Sequence, residues 1–201
     1  MATILIFLKA PIPGTVKTRL AQKIGDSEAV RVYRQLVERQ LSEIPPGWPV
    51  EIHYAPAEAE PSLRKWLGEH YHYAPQSGGD LGDRMRSAVK SAFDRGIRHV
   101  LCIGADCPDL SAGDLLAAEE KLTEGNDLVF GPAFDGGYYL VALSKFCPEI
   151  FSEVPWSSTR TLITSLLHAK RFRRRIALLE TKNDVDTVED WEQVKTQFLS
   201  T

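Results

Sequence analysis

Short runs of apolar residues alternate along the chain with longer segments in which apolar residues recur every three or four positions. The short runs are TILIFL, PVEIHYA, YHYAP, HVLCIGA, DLVFGPA, YYLVALS and RIALLE, and they predict strands buried in a sheet. The longer segments predict helices at 26–44, 81–94, 110–122, 159–168 and 188–198. The alternation indicates an α/β protein with three layers, in which helices cover both faces of a mixed, mainly parallel central sheet.

The length and charge of the chain narrow the range of functions. A chain of 201 residues fits one domain, and no linker or internal repeat interrupts it, so we expect a single domain over residues 1–201. The formal net charge is −3 and the isoelectric point is near 6.0, which argues against a broad nucleic-acid-binding surface. We therefore expect small-molecule partners and no nucleic acid.

The cysteine pattern and the N-terminal segment predict a compartment. The three cysteines form no C-x-x-C pair, and Cys102 lies inside an apolar run, as expected of a buried thiol in a reducing environment. The TILIFL run is too short to cross a bilayer, and it has neither the basic flank nor the cleavage site of a signal peptide. We expect a cytoplasmic protein without a membrane span.

The segment KAPIPGTVKTRL, residues 9–20, follows the first predicted strand. Its two prolines end strand pairing, Gly14 permits a turn with positive φ, and a helix beginning near Thr15 directs its free N–H groups toward the strand tip. Lys17 and Arg19 add positive charge there, which predicts an anion site with Lys9 and Gly14 in the same loop. The segment does not match a P-loop, because both glycine positions hold other residues. An ordinary turn with two solvated cations is the alternative.

Two acidic loops supply the predicted metal ligands. Asp106 in GADCPDL ends an apolar strand, where a carboxylate is costly unless it is paired or bound to a metal. Asp184 and Asp186 in NDVDTVEDW follow the last strand and point to the same side of an extended backbone, whereas Thr187 and Asp190 fit a capping box. Asp106 and Asp186 are our predicted ligands for Mg²⁺ or Mn²⁺, with a solvated surface turn as the alternative.

Two glycine-rich loops are candidates for binding substrate. Gln76, Gly78, Gly79 and Asp80 lie in QSGGDLGDRM, where Gln76 has the donors and the acceptor needed to read the edge of a base. Asp135, Gly136 and Gly137 lie in AFDGGYYLVAL between two predicted strands. A hairpin turn explains this second loop, and a binding role is compatible with it.

Trp156 in VPWSSTR is the candidate aromatic contact. It precedes a predicted helix, and either packing in the core or stacking against a substrate explains it. The run KRFRRR is better explained as the charged end of a helix and a solvated edge strand.

The order of these motifs resembles a known family. The motifs are KAPxxGxVKTRL, GDLGxRM, GADCPDL, DGGYYL, PWSST and DVDTxED, and they span nearly the whole chain. They resemble a bacterial family of nucleotide-diphospho-sugar-transferase-like proteins, domain of unknown function 2064, which has a glycosyltransferase A (GT-A) fold. The chain is also similar to 2-phospholactate and molybdenum-cofactor guanylyltransferases, which share a basic loop after the first strand and an acidic residue like Asp106.

The resemblance implies transfer of a sugar from a nucleotide diphosphate sugar to a small acceptor. Lys17, Arg19 and a metal on Asp106 and Asp186 would then stabilise the departing diphosphate, residues 76–80 would hold the nucleoside, and Asp135, Gly136, Gly137 and Trp156 would shape the sugar and acceptor pocket. Asp106 and Asp135 are the candidate catalytic residues, with Asp135 as a base. One alternative is transfer of a nucleotidyl group from an NTP to a phosphorylated acceptor with release of pyrophosphate. A non-catalytic nucleotide-binding domain of the same fold is a third possibility.

Overall fold

The computed structural model describes residues 1–198. Seven strands form one sheet: β1 (Thr3–Lys9), β2 (Val50–Ala55), β3 (His72–Pro75), β4 (Val100–Ile103), β5 (Leu128–Pro132), β6 (Tyr138–Leu143) and β7 (Ile176–Leu178). The α-helices are α1 (Thr18–Ile24), α2 (Asp26–Ser42), α3 (Glu60–Leu67), α4 (Leu81–Asp94), α5 (Ala112–Thr123), α6 (Thr161–Arg171) and α7 (Val188–Val194). Each predicted strand is present.

The strand order across the sheet is β3-β2-β1-β4-β6-β5-β7. Strand β6 runs antiparallel to both of its neighbours, and the other adjacent pairs are parallel. The sheet is therefore mixed and mainly parallel, as predicted. Because six strands point the same way, the loops that follow them emerge at one edge, which we call the carboxyl edge.

Helices cover both faces of this sheet. Along β1 the side chains alternate, so that Ile4, Ile6 and Leu8 pack on the face covered by α2, α3 and α5, while Leu5 packs on the opposite face with α4 and α6. A smaller cluster joins α1, α2 and α7 through Leu20, Leu36, Val185 and Trp191 among others. The predicted three-layer arrangement is confirmed.

The first helix begins later than predicted. It starts at Thr18 rather than near Thr15, because the N–H and the hydroxyl of Thr15 both donate to the carbonyl oxygen of Ile12 in a turn. Lys17 then has a left-handed backbone conformation, with φ of 45° and ψ of 45°, through which an α-helix cannot continue. The turn brings the side chain of Lys17 back toward the sheet.

Other helix boundaries also differ from the sequence-based expectation. Helix α6 begins at Thr161 and reaches Arg171, and α7 ends at Val194 and continues as a 3₁₀ turn over Lys195–Phe198. Helix α3 was not predicted, because its eight residues offer few apolar positions to a periodic pattern. Within residues 1–198, no helix has the length and apolar character that a membrane span requires.

Candidate functional site

Three loops at the carboxyl edge meet beside the ends of β1 and β4. These strands are adjacent and parallel, so the loop that carries Lys17 and the loop that carries Asp106 emerge side by side. The loop after β7 reaches them from the far side of the sheet, because the N–H of Val185 donates to the carbonyl oxygen of Asp106 over 2.9 Å. The neighbours of Val185, Asp184 and Asp186, are thereby brought next to Asp106.

Lys17 bridges two carboxylates that are far apart in the sequence. Its Nζ lies 3.1 Å from Asp106 Oδ2 and 3.1 Å from Asp186 Oδ1. The Lys17 side chain is only 6% exposed, whereas Asp106 and Asp186 are 41% and 45% exposed. The structure therefore brings together the predicted cation and both predicted metal ligands.

Electrostatics keeps this lysine charged. Burial alone lowers the pKa of the Lys17 ammonium, but Asp106 and Asp186 outweigh burial, and the net pKa is raised. Arg19 lies at the edge of the same group, with NH1 3.4 Å from Asp186 Oδ2 and a side chain that is 67% exposed. We call Lys17, Arg19, Asp106, Asp184 and Asp186 the charged cluster.

Asp184 is the member of the charged cluster that was not among the predicted site residues. Its Oδ1 atom is buried and has no hydrogen-bond partner among the described residues. Burial raises its pKa to about 8, with further contributions from Asp106, Asp135 and Asp186 that Lys17 opposes. The D-x-D spacing after the strand was the signal that could have found it, since it directs Asp184 and Asp186 to one side.

The backbone around Asp186 is fixed by a capping box. Thr187 Oγ1 accepts the N–H of Asp190 over 3.3 Å, and Asp190 Oδ2 accepts the N–H groups of Asp186 and Thr187. The predicted capping box is confirmed. It accounts for Thr187 and Asp190 and leaves the side chain of Asp186 to the charged cluster.

Side chains that the sequence did not single out also hold this edge together. The Tyr33 hydroxyl accepts the N–H of Lys9 and donates to its carbonyl oxygen, each over 3.0 Å, so α2 fixes the end of β1. Lys182 Nζ lies 3.0 Å from Asp114 Oδ2 and donates to the carbonyl oxygen of Asp109, which ties the β7 loop to the start of α5. No local sequence pattern identifies either contact.

The first loop has the predicted turn geometry. Gly14 has φ of +78°, and Lys9 is exposed where β1 ends. Neither residue is part of the charged cluster, so their contact with substrate remains a prediction.

The loop over residues 76–80 packs against the ends of β1 and β2. Gln76 Nε2 donates to the carbonyl oxygens of Leu8 and His53, and its Oε1 accepts from Arg84. Both amide hydrogens are therefore used within the protein, although recognition of a base was the predicted role of this side chain. Asp80 caps α4, since its Oδ1 accepts the N–H of Asp83 over 2.9 Å. Gly78 and Gly79 are exposed, and their contact with a nucleoside remains a prediction.

The loop over residues 133–137 is a tight connection between the antiparallel strands β5 and β6, as predicted. The N–H of Ala133 donates to the carbonyl oxygen of Gly137, and Gly136 donates back to Ala133. Asp135 Oδ1 accepts the N–H of Gly137 over 2.7 Å. Asp135 is exposed, and the loop lies beside the end of β4, because β6 pairs with β4 and the N–H of Gly104 donates to the carbonyl oxygen of Tyr139.

Trp156 is half-buried and packs into the core. Its ring meets Tyr138 edge to face with centroids 6.2 Å apart, and a β-carbon added to Gly82 would lie 2.5 Å from its Nε1. The indole N–H has no partner among the described residues. Packing therefore accounts for the ring, and a stacking role remains a prediction.

The charged cluster has the chemistry that a hard divalent cation requires. Within residues 1–198, no three His, Cys, Asp or Glu side chains are arranged as a preformed metal centre. Asp106, Asp184 and Asp186 nevertheless bring three carboxyl groups together, and Asp184 Oδ1 is buried without a partner among the described residues. An ion such as Mg²⁺ or Mn²⁺ would favour the ionised form of Asp184 and balance its charge, so the residues fit such a metal.

Comparison with solved structures identifies the class of fold. A crystal structure from Desulfovibrio desulfuricans G20, described as a "putative nucleotide-diphospho-sugar transferase", is 35% identical with a TM-score of 0.91, and the match covers 100% of this chain and 90% of that one. The chain thus has the nucleotide-diphospho-sugar transferase fold. Its sequence over residues 42–158 matches the family described as "Uncharacterized protein conserved in bacteria (DUF2064)", and the protein belongs to this family, as the resemblance predicted. A search of curated proteins gives no match.

More distant structures share the fold alone. CMP:2-keto-3-deoxy-manno-octonic acid synthetase complexed with CTP is 11% identical with a TM-score of 0.61, and 98% of each chain is covered. The Rv0371c protein of Mycobacterium tuberculosis H37Rv in complex with manganese is 14% identical with a TM-score of 0.57, over 96% of this chain and 98% of that one. Nucleotide and manganese are thus bound by other proteins with this fold.

Proposed function

We propose that the protein is a metal-dependent glycosyltransferase that moves a sugar from a nucleotide diphosphate sugar to a small-molecule acceptor. One observation carries the proposal: Lys17 Nζ lies 3.1 Å from oxygens of both Asp106 and Asp186 at the carboxyl edge. Asp106 and Asp186 lie 89 and 169 positions from Lys17 in the sequence, yet the three side chains meet there. Ligands of open α/β sheets bind at this edge.

The charged cluster would bind the diphosphate. Asp106 and Asp186 would hold Mg²⁺ or Mn²⁺, with Asp184 beside them. The bound ion would neutralise the negative charge that a diphosphate leaving group accumulates. Lys17 and Arg19 supply positive charge on the same side, and Lys9 and Gly14 border the approach to it.

The two glycine-rich loops would bind the remainder of the donor and the acceptor. In this proposal the exposed backbone of Gly78 and Gly79 contacts the nucleoside, while Gln76 and Asp80 shape the loop through the contacts described above. Gly136, Gly137 and Trp156 border the sugar and acceptor pocket. Asp135 is the candidate base, because its hydrogen bond to the N–H of Gly137 fixes one carboxylate oxygen and orients the other.

Nucleotidyl transfer is the second candidate. It is favoured by the fold shared with the synthetase that binds CTP and by the position of two cations within one helical turn, which suits a triphosphate. In this case a phosphorylated acceptor would attack the α-phosphate of an NTP and release pyrophosphate. The same charged cluster would serve both reactions.

We place either reaction in the cytoplasm. The cysteines Cys102, Cys107 and Cys147 are all buried free thiols, which suits a reducing compartment. Glycosyl transfer requires a nucleotide sugar as donor, and nucleotidyl transfer requires a nucleoside triphosphate.

The experiment that separates the candidates is incubation of the protein with Mg²⁺ or Mn²⁺ and a panel of nucleotide diphosphate sugars and NTPs. Release of nucleoside diphosphate together with a glycosylated acceptor supports glycosyl transfer. Release of pyrophosphate supports nucleotidyl transfer. Metal-dependent binding without turnover would contradict both and leave a nucleotide-binding domain. Asp94→Asn, far from the cluster on α4, serves as the control variant.

A further inference from the structure

The four carboxylate oxygens of Asp106 and Asp186 are not equivalent. Lys17 contacts one oxygen of each residue, Asp106 Oδ2 and Asp186 Oδ1. Asp186 Oδ2 has a long contact of 3.4 Å with Arg19, and Asp106 Oδ1 accepts no hydrogen bond within residues 1–198. A cation could therefore be bound by the second oxygen of each carboxylate without moving Lys17.

Lys17 and Arg19 also differ in how firmly they are held. The Lys17 side chain is almost fully buried between its two partners, and its left-handed backbone directs it there. Its withdrawal would break both of its hydrogen bonds to the carboxylates at once. Arg19 is mostly exposed on the first turn of α1, and it would lose only one long, solvent-screened contact by moving.

We infer that the two cations have different tasks: Lys17 is a positioning residue that holds Asp106 and Asp186 together, and Arg19 leaves Asp186 to bind the phosphates of the substrate. The inference rests on the proposed function, because it assigns the phosphate contact within that same site. Lys17 and Arg19 thus have different roles, although the sequence assigns both to one anion site. The planar guanidinium of Arg19 also suits two phosphate oxygens at once, whereas the buried ammonium of Lys17 already donates to two carboxylates.

Chemical footprinting tests where each cation lies. The full chain is treated with an amine-acylating reagent or with phenylglyoxal, alone, with Mn²⁺, and with Mn²⁺ plus inorganic pyrophosphate, and mass spectrometry reports modification of each residue. We expect Lys17 to react slowly under all three conditions. Arg19 should react readily alone and be protected by Mn²⁺ with pyrophosphate.

The result that overturns the inference is a rise in Lys17 acylation when Mn²⁺ or pyrophosphate is added, because Lys17 would then have left the carboxylates. Unchanged phenylglyoxal reactivity of Arg19 overturns it as well. Calorimetry on the same samples separates this failure from failure of the proposed function. If pyrophosphate and Mn²⁺ bind but Lys17 becomes reactive, only the assignment of tasks is refuted. If they do not bind, the metal–phosphate site and the inference are both refuted.

A variant of the exposed residue provides the second test and avoids the danger of unfolding. Arg19→Met should weaken binding of pyrophosphate with Mn²⁺ by about tenfold or more, while binding of Mn²⁺ alone stays equal or tightens. Lys23→Met is the matched control, because Lys23 is an exposed cation one turn further along α1, and it should change neither affinity appreciably. Equal pyrophosphate affinity for Arg19→Met and wild type would overturn the inference.

Discussion

The charged cluster and the two glycine-rich loops lie at the same edge of the sheet, but they are built in different ways. In the charged cluster, side chains from three distant parts of the sequence hold one another, and the bridge from Lys17 to Asp106 and Asp186 is the centre of that arrangement. The loops over residues 76–80 and 133–137 are held mainly by hydrogen bonds to backbone groups, and no ion pair between distant side chains is involved in the bonds described above. Gly78 and Gly79 are exposed, whereas Gly136 packs closely against the backbone of Thr159.

This difference indicates which part of a substrate each region can recognise. A preformed group of fixed charges suits a constant chemical group such as a metal diphosphate, because it needs little reorganisation to bind. Loops that maintain their own shape can change their exposed residues without disturbing the cluster. We therefore expect loss of charge to abolish binding and changes in the loops to alter stability or preference.

The largest effect is expected from Asp106→Ala. This change removes a predicted metal ligand and one partner of Lys17, so metal-dependent binding of UDP or GDP should weaken by at least about a hundredfold. The free energy of unfolding should change by less than about 1 kcal/mol, because Asp106 is 41% exposed and Asp186 still pairs with Lys17. Calorimetric titration with Mn²⁺ and nucleotide measures binding. Unaltered affinity would remove Asp106 from the site.

Gly136→Ala is expected to disturb the hairpin loop and to leave the charged cluster intact. Gly136 has φ of +90°, and an added β-carbon would lie 2.6 Å from the Cα of Thr159. The variant should lose about 2 kcal/mol of the free energy of unfolding in urea denaturation, since both the backbone conformation and the space exclude a side chain. Gly47→Ala also replaces a glycine with positive φ, but nothing lies within 4 Å, so it isolates the backbone contribution. Equal losses for both variants would show that the Thr159 contact is unimportant.

Asp184→Asn tests how the ionisation of the buried Asp184 affects stability at different pH values. The folded-state pKa of Asp184 is raised to about 8 from an ordinary value near 4, so the folded protein holds this proton more tightly than the unfolded chain does. The free energy of unfolding of the wild type should therefore fall as pH rises from about 4 to about 8.

In buffer containing EDTA, Asp184→Asn should be more stable than wild type at pH 9 by about 1–2 kcal/mol, with a smaller difference at pH 5. Urea denaturation at both pH values measures this, with Asp94→Asn as an exposed control. A difference that does not depend on pH would contradict the charged, buried state of Asp184.

The smallest effect separates the two roles of Asp80. Asp80→Ala should lower the free energy of unfolding by about 1 kcal/mol, because the cap on the N–H of Asp83 is lost. Asp80→Asn retains the cap and should leave stability nearly unchanged. If Asp80 also contacts substrate through its charge, Asp80→Asn will bind nucleotide more weakly although its stability is unchanged. Equal stability of the Ala variant and wild type would refute the capping role.

Sequence alone was sufficient for most of the fold. The apolar runs predicted every strand, and D-G-G correctly predicted the hairpin turn between β5 and β6. The predicted start of α1 was wrong. Thr15 forms a turn through its hydrogen bond to Ile12, and Lys17 is left-handed with its side chain bound to two distant carboxylates, and neither feature follows from the apolar pattern. Helix α3 escaped detection because its periodic pattern is too short.

The site was only partly accessible from sequence. Residue type and position at strand ends predicted that Lys17, Asp106 and Asp186 would converge, and the structure brings them together. The hydrogen bonds of Gln76 to the carbonyl oxygens of Leu8 and His53 could not be predicted from the sequence, because they depend on the spacing between β1, β2 and the loop. The burial of Asp184 likewise follows from the bond between Val185 and Asp106 across the edge.

The reversed direction of β6 has a consequence for how this protein could diversify. A parallel neighbour of β5 would have required a long crossover, which would have separated the exit of one strand from the entrance of the next. Here the exit and the entrance share one five-residue connection, over residues 133–137, beside the end of β4. If the proposed function is correct, substitutions confined to that connection could change the acceptor preference without moving any helix or the charged cluster.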